Sequence, residues 1–270
     1  MDWEYEIIKD GTAVKLSRYT GTASSVITPE IINGLPVTVL GNCAFLNNDS
    51  VRMVCISSSI HTVEDGSGIR GTGAFRNCKN LQTVVLSQRM RRVADYMFYG
   101  AAYGQDQPLT VHFQGVEEIG SFAFACCNNI VHLQLSETVT TIGTGAFYQA
   151  RRLATMDMPG VCIIRADAFT ETIFEENYEK LWEQGDFTGV VYAGKVAYLY
   201  MGSTTKYMPE DTCLIIADGT LGISEFLFTN HFVSTISCRK RLREIRIPRT
   251  VKYIPEGLLE GFTKAVLTRW

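Results

Sequence analysis

Proline is scarce in this chain of 270 residues, 7 against 23 glycines, which excludes a collagen-like or proline-rich linker architecture. An excess of one charge is missing too. With 25 basic and 28 acidic residues the net charge is −3, so the chain as a whole lacks the signature of a nucleic-acid or membrane-surface binder, and no nucleic acid is expected as a partner. No run approaches the roughly 18 consecutive apolar residues that a membrane span needs, so no span is expected. Histidines number only four (His61, His112, His132 and His231), in no HExxH or HxH arrangement. The eight cysteines (Cys43, Cys55, Cys78, Cys126, Cys127, Cys162, Cys213 and Cys238) form no CxxC pair. They are spread as in a large domain rather than a small disulfide framework, and free thiols are expected. The opening MDWEYEIIKDGTAVKL has acids from position 2 and no apolar core of a secretory signal, which points to the cytoplasm.

What is abundant is apolar residues, 46% against 20% charged, and they recur in phrases. One phrase runs from an apolar residue through a small or polar turn to a small residue and Phe. It reads Leu40-Gly-Asn-Cys-Ala-Phe45, Gly71-Thr-Gly-Ala-Phe75, Val93-Ala-Asp-Tyr-Met-Phe98, Ile119-Gly-Ser-Phe-Ala-Phe124, Ile142-Gly-Thr-Gly-Ala-Phe147 and Ile164-Arg-Ala-Asp-Ala-Phe169. It returns as Ile223-Ser-Glu-Phe-Leu-Phe228 and, diverged, Ile254-Pro-Glu-Gly-Leu-Leu259. The intervals between final residues are 30, 23, 26, 23, 22, 59 and 31. A second phrase, apolar-x-x-apolar-x-apolar, follows most anchors: Val51 to Ile56, Leu81 to Leu86, Ile130 to Leu135, Leu153 to Met158 and Leu242 to Ile247. Its fourth and sixth positions alternate with a variable fifth, the period-2 pattern of a strand with one buried face. A third phrase, apolar-x-x-apolar, precedes the turn, as in Val116 to Ile119 and Val139 to Ile142.

A coil of about 23 residues cannot bury its own Leu, Ile and Phe, but stacked coils share one apolar interior. The expected fold is therefore a mostly β solenoid with short helical or 3₁₀ bends, parallel stacked strands, about eight repeats, and the anchor phenylalanines laddered inside. The phrases I-G-x-x-A-F and L-x-x-V-x-L at these spacings resemble the BspA-like class of leucine-rich repeats. The likeness runs from about Val26 to the end; residues 26–41 resemble the opening unit of such arrays, and Gly189 to Tyr198 resembles the hairpin placed between repeat blocks. It implies a bacterial protein, with adhesion and a surface or secreted location as the roles such arrays commonly serve.

Four regions are expected within one continuous solenoid. Residues 1–40 form a β-rich N-terminal cap and 41–169 the regular block. Residues 170–211 hold a helix over 171–184 and a β-hairpin over 189–201 turning at Ala193-Gly194, and 212–270 hold the last repeats. The strand-like ending near Ala265 to Thr268 suggests a monomer or weak self-association through a C-terminal edge.

Candidate sites are few. No catalytic, cofactor-binding or metal-binding set converges. The register of the phrases places His112 and His132 on the solvent face of adjacent strands, as diagonal neighbours roughly 7–8 Å apart, with no third ligand. Cys78 and Cys127 follow their anchors by three residues and read as small apolar residues of the bend, two repeats apart and beyond disulfide reach. Gly66 to Gly73 has the glycines of a phosphate loop without its lysine and reads as a turn. Arg239, Lys240, Arg241, Arg243, Arg246, Arg249 and Lys252 make the C-terminal units basic, and Arg89, Arg91 and Arg92 add a smaller spot. Trp182, Tyr192, Tyr198 and Tyr200 read as a local core of the insert. The variable fifth position of each strand gives an outward row of Cys55, Val85, His112, Gln134, Asp157 and Arg246, flanked by residues such as His132. This row is the candidate interaction face of a non-catalytic scaffold for a protein or a glycan. The alternatives are a structural module of a larger surface or adhesion protein and an enzyme, the last disfavoured.

Overall fold

The structure is a computed structural model, and it describes residues 2–103, 108–202, 212–229 and 240–270. His231, Cys238 and Arg239 lie outside the described residues. The described residues form a mostly β solenoid of about nine turns, with parallel stacked strands and the helix Ile173–Glu183.

Each coil has three faces, and each face is held differently. The strand face carries the three-residue strands Ser25–Ile27, Met53–Cys55, Thr83–Val85 and Thr110–His112, paired in parallel in that order. The second face carries two-residue strands: Arg92–Val93, Glu118–Ile119, Thr141–Ile142 and Ile163–Ile164 form one unbroken parallel sheet. These are the ends of the apolar-x-x-apolar phrases, so the strands are short because the phrase is short.

The third face is built from turns. Within a coil the bonds run from residue i to i−3, as Ala146 N to Gly143 O at 3.2 Å and Tyr148 N to Gly145 O at 2.9 Å. Between coils the anchor amides donate onward: Phe98 N to Ala123 O, Phe124 N to Ala146 O and Phe147 N to Ala168 O, each 2.8 Å. The chain leaves each anchor through a left-handed residue two positions on (Asn47, Asn77, Gly100, Cys126, Gln149 and Glu171, with φ between 57° and 62°), which reverses the chain sharply enough to begin the next strand. The small residue before Phe leaves room for the ring to enter the coil axis.

The rings then stack. Successive centroids from Phe45 through Phe75, Phe98, Phe124, Phe147 and Phe169 are 4.9, 5.1, 4.9, 5.4 and 5.5 Å apart, with planes within 11° of parallel. All six are buried. The ladder is sealed at its start by Trp3 and Tyr19, which belong to the strands Trp3–Ile8 and Ala13–Tyr19 of an N-terminal antiparallel hairpin. At its far end it meets Tyr198, whose ring lies edge-on to Phe169 at 5.5 Å and whose hydroxyl accepts from Phe169 N at 3.2 Å.

The insert takes the expected form. The helix is Ile173–Glu183, capped by Thr172, whose side chain accepts from Glu175 N. The hairpin is Gly189–Ala193 and Val196–Met201, with Gly194 at φ +57° in the turn. Val196–Met201 pairs in parallel with Gly222–Ile223, which resumes the stack. Gly222 is needed there: a Cβ at this position would lie 1.7 Å from the Cys162 carbonyl oxygen. Trp182, Tyr192 and Tyr198 behave as core or hairpin residues: the indole N–H of Trp182 donates to Gly202 O, and Tyr192 Oη accepts from Ala217 N. The last strands, Thr212–Ile215, Leu242–Ile247 and Val266–Arg269, form a separate parallel sheet.

Candidate functional site

The outward row is in register where the strands pair. Cys55 lies beside Val85, and Val85 beside His112. Gln134 lies beside Asp157. Arg246 stands between Ile215 and Thr268 in the C-terminal sheet. The row is thus three segments, not one. Ile27, beside Cys55 and 73% exposed, and Ile215, 59% exposed, extend it, although the phrases single out neither. Their strands, Ser25–Ile27 and Thr212–Ile215, lack the full apolar-x-x-apolar-x-apolar phrase, which is why the sequence pattern passes over them.

The expected diagonal pairing of His112 and His132 is not present. Thr110–His112 pairs, among the described residues, only with Thr83–Val85, and His132–Gln134 only with Thr155–Asp157. Among the described residues no backbone hydrogen bond joins 109–113 to 131–135, where every preceding step of the face has them, such as Thr110 N to Gln82 O at 2.8 Å and Leu86 N to His112 O at 3.3 Å. The cause is in the coil itself. By register, the position held by Val51, Leu81, Ile130 and Leu153 is here Pro108, which is exposed and has no N–H. The buried apolar residue of this strand is Leu109, displaced by one position from the pivot of the other coils. Phe113, bulkier than the Ile56 and Leu86 at its equivalent position, turns in edge-on to Phe124, with centroids 6.0 Å apart.

A cleft of about 650 Å³ takes the place of the missing ladder. Its walls include Val111, Phe113, Leu133 and Leu135, its floor the rings of Phe124 and Phe147, and its rim His112, His132 and Arg152. Among the described residues no Asp or Glu lines it. His132 Nδ1 is 2.8 Å from the Thr155 hydroxyl, which fixes that ring toward the neighbouring strand and away from any shared ligand set with His112. Among the described residues no group of three or more His, Cys, Asp or Glu could hold a metal ion.

Other charged and thiol groups serve the stack. Arg92 is ringed by Asp65, Asp95 and Glu118, with its Nε 2.9 Å from Glu118, and Arg91 pairs with Glu117 at 3.3 Å. The small basic spot expected there is therefore largely neutralised, because adjacent coils supply the acids. Arg246 likewise pairs with Glu244 at 3.1 Å. Cys78 and Cys127 are buried and each donates its S–H at 2.9 Å to an anchor carbonyl of the preceding coil, Phe45 O and Phe98 O. Burial pushes the Cys78 thiol up to about 12, and that of Cys127 higher still. Such thiols are not nucleophiles. Residues 66–73 form a surface turn closed by a Ser67–Thr72 bridge.

Coils of this length, each with a parallel strand at the same place and an apolar interior shared along the stack, define a leucine-rich-repeat solenoid. The profile of the BspA type leucine rich repeat region matches residues 38–176 in 6 copies, just over half of the chain, and the protein belongs to that family. Among solved structures it is similar to the leucine rich repeat protein of T. pallidum, at 26% identity and TM-score 0.54 over 63% of this chain and 75% of that one. It is also similar to a leucine rich cell surface protein of Faecalibacterium prausnitzii A2-165, at 16% identity and TM-score 0.50, covering 99% and 93% of the two chains. A leucine-rich repeat protein of Bacteroides ovatus ATCC 8483 aligns at 16% identity and TM-score 0.52, over 100% and 70%. The last two likenesses concern the fold alone. No curated protein matches the chain significantly. No helix among the described residues is long and apolar enough to cross a membrane.

Proposed function

We propose that this repeat scaffold works by binding a protein partner along its strand face, without catalysis of its own. The observation that carries the reading is the chemistry of the outward row. Large apolar side chains at solvent-facing positions, Ile27 at 73%, Met53 at 46% and Ile215 at 59% exposed, share this face with His112, Gln134, Asp157 and Arg246. One residue per coil repeated along a stack is how solenoids build extended contact surfaces, and exposed apolar residues rimmed by polar ones are the usual mark of such contacts. A glycan is the other partner class open to a mixed face. Leucine-rich repeats of this family are typically non-catalytic scaffolds, which supports the same reading.

The test substitutes Ile27, Val85, His112 and Gln134 together by Ser and compares the variant with the parent chain in crosslinked capture from the source cells and on a glycan array. Loss of the captured partner at unchanged melting temperature is the expected result. Undiminished capture by the variant removes the strand face as the contact.

A second reading, a module of a larger surface protein, is favoured by the F. prausnitzii cell surface protein, 93% of which is covered by the alignment. Protease shaving of intact cells would release peptides of this chain if it holds, and none if it does not.

A further inference from the structure

We propose that the cleft between Thr110–His112 and His132–Gln134 is a strand-acceptor site, into which a partner protein inserts an extended segment of alternating apolar and acidic residues. The inference deepens the scaffold reading and rests on it. Its starting point is the backbone. In a parallel ladder, successive residues aim their N–H and C=O groups alternately at the two neighbouring strands. Thr110 N and His112 O are spent on Thr83–Val85, which leaves the groups of Val111 and Phe113 aimed at the cleft. On the other wall, Leu135 N donates to Asp157 O at 2.9 Å and Val131 O accepts from Ala154 N at 3.0 Å, which leaves those of His132 and Gln134 aimed at the cleft. The edges of two separate sheets therefore face each other across the cleft, each, among the described residues, with the donors and acceptors of an unmade ladder. Only another extended backbone satisfies both at once.

The side chains say which segment. An inserted strand directs alternate residues down and up. Downward residues meet Val111, Leu133, Leu135 and the rings of Phe124 and Phe147, which suits Val, Ile or Leu. Upward residues meet His112, His132 and Arg152, with no carboxylate among the described residues of the lining, which suits Asp or Glu. The stack tolerates the opening because the other two faces are hydrogen-bonded across the same step: Phe98 N reaches Ala123 O at 2.8 Å, and Glu118–Ile119 pairs with Thr141–Ile142. A small apolar ligand would fill the floor and leave both edges unpaired. That is the competing occupant, and the experiment separates the two.

The probe is a capped octapeptide of alternating Val and Glu, titrated into the isotope-labelled full chain while amide hydrogen exchange is followed. In the free protein, the Phe113 and His132 amides should exchange at least about tenfold faster than Leu86 and Leu135, whose ladder bonds are made. Saturable binding should then slow Val111, Phe113, His132 and Gln134 together. N-methylation of alternate residues of the peptide, in either frame, should weaken binding by about tenfold or more, because each frame faces one wall. His132→Pro, which removes a cleft-facing N–H together with the ring, should weaken binding several-fold more than His132→Ala, which removes the ring alone. If His132→Pro fails to fold, the methylated peptides still decide. Slow exchange at Phe113 in the free protein, no protection on titration, or indifference to methylation in both frames overturns the proposal, the last in favour of a side-chain pocket. A Val–Lys octapeptide that binds as well overturns the preference for acids. If the peptide fails while the Ser-substituted outward row still abolishes partner capture, the scaffold reading stands and the strand-acceptor site falls.

Discussion

The turn face and the strand face are made by the same coils, yet one is continuous and the other is not. On the turn face six phenylalanines stack without interruption across coils whose lengths vary. On the strand face the ladder stops after Thr110–His112 and restarts at His132–Gln134. The difference teaches what each face depends on. The ladder needs one Phe per coil, and every coil from Phe45 to Phe169 supplies it, preceded by Ala in five coils and by the buried Met97 in the sixth. The strand face needs a buried pivot in register at the start of each strand, and in one coil Pro108 stands there, with the buried Leu109 one position on. A single position is enough to open one face while the others hold, because a solenoid is stabilised step by step between nearest neighbours.

The sharpest way to break this comparison is to damage the continuous face. Phe124→Ala or Phe147→Ala should cost on the order of 3–5 kcal/mol in denaturant unfolding, the range for large buried aromatics. Phe113→Ala, on the open face and half-exposed, should cost less than half as much. A loss below about 1 kcal/mol at Phe124 would mean that the ladder does not bear the load assigned to it.

The next effect lies where the regular block meets the insert. Glu175 is buried at the start of the helix, and neither carboxylate oxygen has a hydrogen-bond partner among the described residues. Burial, reinforced by the charges of Glu179, Asp167 and Glu171, pushes it up to about 8. Its folded-state value thus lies above the 4.5 of an ordinary glutamate, so folding holds a proton that the unfolded chain releases. The contribution of this group to stability is greatest below about pH 4.5, falls as the pH rises toward 8, and levels off beyond it. Glu175→Gln should therefore stabilise the protein by a few kcal/mol at pH 8 and leave it nearly unchanged at pH 4. Equal effects at the two pH values would contradict the buried, protonated state.

A smaller effect tests the cause of the break. Pro108→Leu restores the pivot and the N–H. It should stabilise the chain by about 1–2 kcal/mol and slow hydrogen exchange at Phe113 and His132 as the cleft closes. Unchanged exchange would move the cause from Pro108 to the bulk of Phe113. The smallest effect is expected at Arg246→Ala, an exposed ion pair, where the change in stability should stay within about 0.5 kcal/mol and any consequence should appear in partner binding alone.

Much of the fold could be read before any coordinates. The intervals between Phe45, Phe75, Phe98, Phe124, Phe147 and Phe169 specify the ladder, because only a stack buries one such ring per coil. The helix at Ile173–Glu183 and the hairpin turning at Gly194 were equally legible from local spacing. The candidate face was legible only in part. Cys55, Val85 and His112 fall in one row because their phrases are intact. His112 and His132 could not be placed against each other, since whether adjacent coils pair depends on the depth of Pro108 and the size of Phe113, not on periodicity. Ile27 and Ile215 sit in strands whose phrases are incomplete.

The sequence by itself determined that coils stack, which residues line their shared interior, and where the array is interrupted, because burial of a periodic apolar set has few solutions. Only the tertiary structure decided that one face opens into a cleft, that the arginines near position 92 are met by acids from neighbouring coils, and that Glu175 is sealed from water at the start of the helix. Each of these turns on distances between coils, which a pattern along the chain does not contain.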